Sequence, residues 1–116
     1  MTDPVIPVMA IKSRHVRINN LSPTMARALL RIAVLYSESG YELVVTSGGD
    51  GAHSSNSRHY ADPVEAVDLR FWMVPASRRE AFALKIRRAI GTAFDVVVEK
   101  HHYHIEHDPK PGDVAA

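Results

Sequence analysis

After Leu21 the apolar residues return at helical spacing. Met25, Leu29, Ile32, Ala33 and Tyr36 fall on one face, which predicts an amphipathic helix. Ser22-Pro23 supplies its N-cap and first helical position, and Gly40 ends it near Ser39. A second stripe, Phe82, Ile86, Ala89 and Ile90, predicts another helix. It is opened by a capping box of Ser77 and Glu80 and closed by Gly91. Between and after these helices the pattern shortens and becomes β-branched. Strands are expected over Glu42–Thr46, Ala66–Phe71, Phe94–Val98 and His102–His107. Residues 47–57 are rich in Gly, Ser and Asn and read as a loop. Residues 1–20 carry prolines and read as an extended arm with room for one short strand. The order is helix, strand, loop, strand, helix, strand, strand. It predicts an α+β fold, with two helices packed on one side of a small, mainly antiparallel sheet.

A length of 116 residues allows one domain with one core. We expect the arm at 1–20, the folded domain at 21–109 and a tail at 110–116. The net charge of +1 gives no field to recruit nucleic acid, and no apolar run approaches the roughly 20 residues that cross a bilayer. The start of the chain lacks the basic and apolar regions of a secretory signal, so synthesis as a cytoplasmic protein is expected. Five cations (Arg78, Arg79, Lys85, Arg87 and Arg88) decorate the second helix, and a solvated face is the default reading of such a run. Core packing is likewise the default for Trp72.

There is no cysteine, so any metal must be held by nitrogen and oxygen. Four of the seven histidines lie in Glu99-Lys100-His101-His102-Tyr103-His104-Ile105-Glu106-His107. A second cluster, His53 to His59, is followed nine residues past His59 by Asp68. On a strand, His102 and His104 project to the same side. Imidazoles and a carboxylate converging from two segments suit one divalent metal that keeps an open position for water. A Ser-His-Asp triad can be drawn from Ser47, Asp50, His53 and Ser57, but no nucleophile turn of the Gly-x-Ser-x-Gly type accompanies it.

Several of these residues carry a family likeness. Val45-Thr46-Ser47-Gly48, Asp50-Gly51-Ala52-His53-Ser54, Ser57-Arg58-His59-Tyr60 and Ala66-Val67-Asp68-Leu69-Arg70 resemble the zinc D-Ala-D-Ala carboxypeptidases and L-Ala-D-Glu endopeptidases. The likeness is greatest to the small phage and prophage members. The ending Asp95 to Glu99 with His102 to Pro109 is similar to that family's final strand. The resemblance spans about Leu21 to Pro109.

It implies the Hedgehog/DD-peptidase fold and a Zn²⁺ cofactor, with His59 and Asp68 as the first two ligands. Members with a His-x-His ending use the second histidine, which points to His104, with His102 beside the metal against substrate or oxyanion. Members with a Glu-x-x-His ending would instead point to His102. The general base is Glu99 or His101. The loop with Asp50, His53 and Ser57 would form a wall of the substrate cleft, with Tyr60 and Tyr103 lining the pocket.

The chain departs from the family at two points. His59 and Asp68 are nine residues apart where seven are usual, with no intervening glycine, so Asp62 and Glu65 compete as the carboxylate ligand. Gly49-Asp50 also stands where relatives carry an arginine, a role open to Arg58 or Arg70.

The implied partner is a peptidoglycan stem peptide, acted on by a monomer without membrane insertion, after release or delivery to the wall by a separate factor. A rival expectation is a non-catalytic zinc domain of the same fold, used for binding or assembly.

Overall fold

The computed structural model describes residues 8–49 and 63–111. Five strands form one sheet: β1 (Met9–Ile11), β2 (Leu43–Ser47), β3 (Ala66–Arg70), β4 (Phe94–Val98) and β5 (His102–His107). Two helices, α1 (Pro23–Glu38) and α2 (Arg79–Ile90), complete the architecture. The strand order is β1-β2-β3-β5-β4. All neighbours are antiparallel except β1 and β2, which pair parallel across the α1 connection. The fold is α+β with a mostly antiparallel sheet. Among the described residues, no helix is long and apolar enough to cross a membrane.

Helix α1 follows its sequence signals closely. The Ser22 hydroxyl accepts from the Met25 amide at 3.0 Å, satisfying one of the donors a helix start leaves over. At the other end, the Tyr41 amide donates to the Tyr36 carbonyl and the Gly40 amide to Ser37. Gly40 sits at φ 78°, a conformation that side chains with a Cβ resist. The Tyr36 and Tyr41 rings close this cap edge to face. Met25, Leu29, Ile32, Ala33 and Tyr36 are all buried, as the stripe predicts. Replacing Ser22 with alanine removes a buried cap and is expected to cost about 1 kcal/mol, read from the midpoint of a urea melt.

Helix α2 departs from its expected start. A 3₁₀ turn at Ala76–Arg78 precedes it, and the cap position is Arg78, with no side-chain cap bond. Ser77 lies inside that turn, so it cannot cap, and the Ser77–Glu80 box does not form. Ala89 is exposed and Ala83 is buried in its place, because the stripe is set by Phe82, Ile86 and Ile90. Two of the five cations are not simply solvated. Arg79 Nε donates to the Val74 carbonyl at 2.9 Å, and an Arg87 guanidinium nitrogen donates to the Val96 carbonyl at 2.7 Å.

The core lies between the helices and one face of the sheet. Strand alternation puts Val67, Leu69, Tyr103, Ile105, Phe94 and Val96 on that face. Tyr103 is wholly buried, so it lines no pocket. Trp72, just past β3, is 68% exposed and does not pack in the core. It carries the Arg70 guanidinium over its ring at 3.8 Å. Gly48, after β2, is required by close approach, since a Cβ there would meet the Arg17 carbonyl oxygen at 2.0 Å.

Candidate metal centre

The face of the sheet away from the helices carries the polar residues. The register places Asp68 directly opposite His104, Arg70 opposite His102, and Asp95 opposite Glu106. Alternation therefore gathers Asp68, His102, His104, Glu106 and Asp95 on one face. Antiparallel pairing brings Asp68 and His104 together although 36 residues separate them.

His104 Nδ1 lies 2.9 Å from Asp68 Oδ1, and His104 Nε2 lies 3.2 Å from Glu106 Oε1. His102 Nε2 is 3.5 Å from the same Asp68 oxygen. Asp68 is buried, and the side chain of His104 is less exposed than that of His102, 20% against 34%. The Thr46 hydroxyl donates to the Asp68 carbonyl at 3.3 Å, fixing the strand that carries the carboxylate.

An imidazole facing two carboxylates donates from both nitrogens only when protonated. The hydrogen bond to Asp68 accordingly raises the His104 pKa above the usual 6.5. Burial opposes the rise, and the bond to Glu106 adds to it. The raised pKa means that His104 contributes stability that is fully present below about 6.5 and lost as pH rises through the folded-state value. Chelated protein should therefore exceed a His104→Gln variant in melting temperature most at low pH, with the gap closing above neutrality. A gap that is constant from pH 5 to 9 would contradict this. A metal held through this nitrogen would run the other way and bind more tightly as pH rises, because the nitrogen must first lose its proton.

Among the described residues, Asp68, His102 and His104 do not bring three ligand atoms within 4.8 Å of one another, so they offer donor pairs and not a complete site. Ligands at about 2.0–2.1 Å in a tetrahedron sit about 3.3 Å apart. The His104–Asp68 and His102–Asp68 separations of 2.9 and 3.5 Å bracket that value. Nitrogen and carboxylate donors are zinc's ordinary set when cysteine is absent. With Nδ1 directed to Asp68, Glu106 holds the other ring nitrogen, the outer-shell arrangement that orients metal-ligating histidines.

Other expected site residues fall in different places. His59, Ser57, Asp50, His53 and Tyr60 lie outside the described residues, as do Arg58 and Asp62. Glu99 and His101 are exposed on the β4–β5 turn, where the Glu99 amide donates to the His102 carbonyl at 2.9 Å. Neither side chain hydrogen-bonds Asp68 or His104. Glu65 is engaged by His107 through a side-chain hydrogen bond and does not compete with Asp68. His107 belongs to the other face of β5, with its ring 5.0 Å from that of Phe94.

Glu106, which meets the His104 ring, is a residue of this face that the sequence reading does not include in the site. The two-residue alternation that paired His102 with His104 extends to Glu106 and would have found it. Beyond it, Asp95, Glu106 and Asp108 bring three carboxylates within 4.8 Å of one another. The Lys110 ammonium sits against this group, 2.8 Å from Asp95 Oδ1, and holds the Asp95 carboxyl below its ordinary pKa.

In comparisons with known proteins, no family model, no curated protein and no solved structure matches this chain.

Proposed function

We propose that this chain is a zinc-dependent peptidase hydrolysing peptidoglycan stem peptides, of the D-Ala-D-Ala carboxypeptidase or L-Ala-D-Glu endopeptidase type, on the Hedgehog/DD-peptidase fold. One observation carries the reading: the two expected zinc ligands that fall in described strands, Asp68 and His104, are cross-strand partners with donors 2.9 Å apart. The third ligand in this reading is His59, on the resemblance alone.

A bound zinc would supply a water acidic enough to ionise near neutrality and a Lewis acid for the scissile carbonyl. The chain's own residues do the rest. Asp68 and His104 would hold the ion, and Glu106 keeps the His104 ring in orientation. His102, beside Asp68 and on the same face, is placed to donate to a developing oxyanion. Glu99 or His101, on the turn leading into β5, takes the proton from the attacking water and returns it to the leaving amine.

The test is digestion of defined muropeptides by zinc-loaded and chelated protein, with the products identified by mass. A zinc-dependent product establishes the peptidase and names the bond. Glu99→Gln and His101→Gln then identify the base: the variant whose turnover falls by about 100-fold or more is the proton carrier.

A second reading, a non-catalytic zinc domain for binding or assembly, is favoured by one observation. Among the described residues, neither Glu99 nor His101 is hydrogen-bonded or ion-paired to the Asp68–His104 pair. Stoichiometric zinc without any product would select it.

A further inference from the structure

A cleft of about 540 Å³ opens between the C-terminal end of α1 and one face of α2. It lies on the helix side of the sheet. Its floor includes Phe82, which stacks on Tyr103, and Tyr103 faces the opposite way from His102 and His104. The volume falls within the about 300–1,000 Å³ of small-ligand sites. The floor is held firmly and is partly aromatic. Val74 and Phe82 are core residues. The Tyr41 ring meets Phe82 edge to face at 5.5 Å, and the Tyr41 amide is tied to the Tyr36 carbonyl. Tyr41 is partly buried, and among the described residues its hydroxyl has no hydrogen-bond partner.

The two sides of the cleft carry opposite charge. Arg78 and Lys85 line one side, at the ends of an i, i+3, i+4, i+7 row that also contains Ala81 and Phe82. Glu38 and Ser39 line the other, at the end of α1, where the helix dipole adds negative potential. Among the described residues, none of Glu38, Arg78 and Lys85 has an ion-pair partner. Charges of both signs therefore line one cleft without neutralising each other.

We infer that this cleft binds a small zwitterion with an apolar body, of the size of a dipeptide. Its ammonium goes to Glu38 and the last carbonyls of α1, and its carboxylate to Arg78 and Lys85. An apolar side chain packs on Tyr41 and Phe82. A purely anionic ligand would meet Glu38, and a purely cationic one Arg78 and Lys85. The two charged sides also set the length. In a single amino acid both charges sit on one carbon, whereas the termini of a dipeptide reach up to about 7 Å apart. No residue of the cleft belongs to the proposed metal centre, so this site stands whether or not the chain is a peptidase.

The full chain, isotope-labelled, is titrated with Ala-Phe, N-acetyl-Ala-Phe, Ala-Phe amide and free phenylalanine while its amide signals are followed by NMR. Ala-Phe should move the amides of residues 38–41 and 78–85 saturably. It should bind about fivefold more tightly than either capped form, the worth of one exposed ion pair, and the margin should shrink at high salt. Glu38→Gln should bring Ala-Phe to the affinity of N-acetyl-Ala-Phe, and Lys85→Gln should bring it towards that of the amide. Both side chains are exposed, so neither variant threatens the fold. Free phenylalanine should bind more weakly than Ala-Phe. Equal binding of Ala-Phe and its capped forms, no saturable shift in these residues, or a margin untouched by both substitutions would overturn the site. Phenylalanine binding as tightly as Ala-Phe would overturn the dipeptide length of the occupant.

Discussion

If this chain is the zinc peptidase we propose, Asp68→Ala is expected to remove zinc from the protein and hydrolysis with it. The carboxylate is buried on β3 and faces His102 and His104 of β5 through one oxygen, 2.9 Å from His104 and 3.5 Å from His102. Among the described residues, the other carboxylates on this face are engaged elsewhere. Glu106 faces the opposite ring nitrogen of His104, and Asp95 is engaged with Lys110. Loss of an outer-shell partner already weakens a metal site by about 10–100-fold, so loss of a direct ligand should exceed that. Metal analysis of dialysed protein should fall from about one zinc per chain to a small fraction, with turnover down by more than about 100-fold. The fold itself should survive. The truncation removes one charge-assisted hydrogen bond, about 1.5–3 kcal/mol at a pH where His104 is protonated, and the surrounding strands keep their pairing. Asp68→Asn keeps the shape and one acceptor oxygen while losing the charge, so it should bind zinc between wild type and Asp68→Ala. Full zinc occupancy in Asp68→Ala would place the metal elsewhere and end the proposal for this site.

The parts of the fold that were legible in the sequence are those where one local rule acts without competition. Helix α1 has its cap at Ser22, its stripe from Met25 to Tyr36 and its stop at Gly40, all pointing the same way. Strand β5 alternates so that His102 and His104 share one face, while Tyr103, expected in the pocket, faces the core with Ile105. Where two rules compete, the reading failed. Ser77 and Glu80 have capping-box spacing, but the 3₁₀ turn following Pro75 places Ser77 inside a turn and not ahead of a helix. Trp72 suits a core by composition, yet the core-facing position next to it is already filled by Phe71, which meets the Tyr103 ring at 5.0 Å. Ala89 follows the stripe by number but lies off the axis defined by Phe82 and Ile86, and burying an alanine contributes too little to turn the helix.

The candidate site divides the same way. Asp68 opposite His104 is a matter of register between β3 and β5, which no single-strand pattern contains. The partners were named, but their meeting depends on tertiary pairing. Glu106 was overlooked because a carboxylate two residues past a ligand has no motif of its own, although periodicity placed it. A cationic cleft beside His102 was invisible for a different reason. Arg70 and Lys100 are 30 positions apart in the chain and line one cleft because β3 pairs with β5, into which the Lys100 turn leads.

Tyr103→Ala should produce the largest loss of stability of any single change near the site, and should weaken zinc binding without touching a ligand. Tyr103 is fully buried between His102 and His104 in β5 and points the other way, into the core. Its ring meets Phe71 edge to face and stacks on Phe82, and its hydroxyl donates to the Arg79 carbonyl at 2.8 Å. Burial pushes its phenol up to about 12, so the group stays a neutral donor throughout the working range. Truncation to alanine removes the ring and leaves a cavity, which typically costs about 3–5 kcal/mol, a large share of the 5–15 kcal/mol that holds most domains together. Tyr103→Phe deletes only the hydroxyl and should cost about 1 kcal/mol. The link to the metal follows from the strand. His102 and His104 share a face only while β5 is held in register, so any population of detached β5 is a population without a site. Apparent zinc affinity should therefore fall in step with the stability lost. Urea melts of Tyr103→Ala and Tyr103→Phe, each with and without zinc, measure both quantities. Zinc should raise both midpoints, and more zinc should be needed to do so in the alanine variant. If Tyr103→Ala instead unfolded within 1 kcal/mol of wild type, the core face of β5 would not be what presents the histidines.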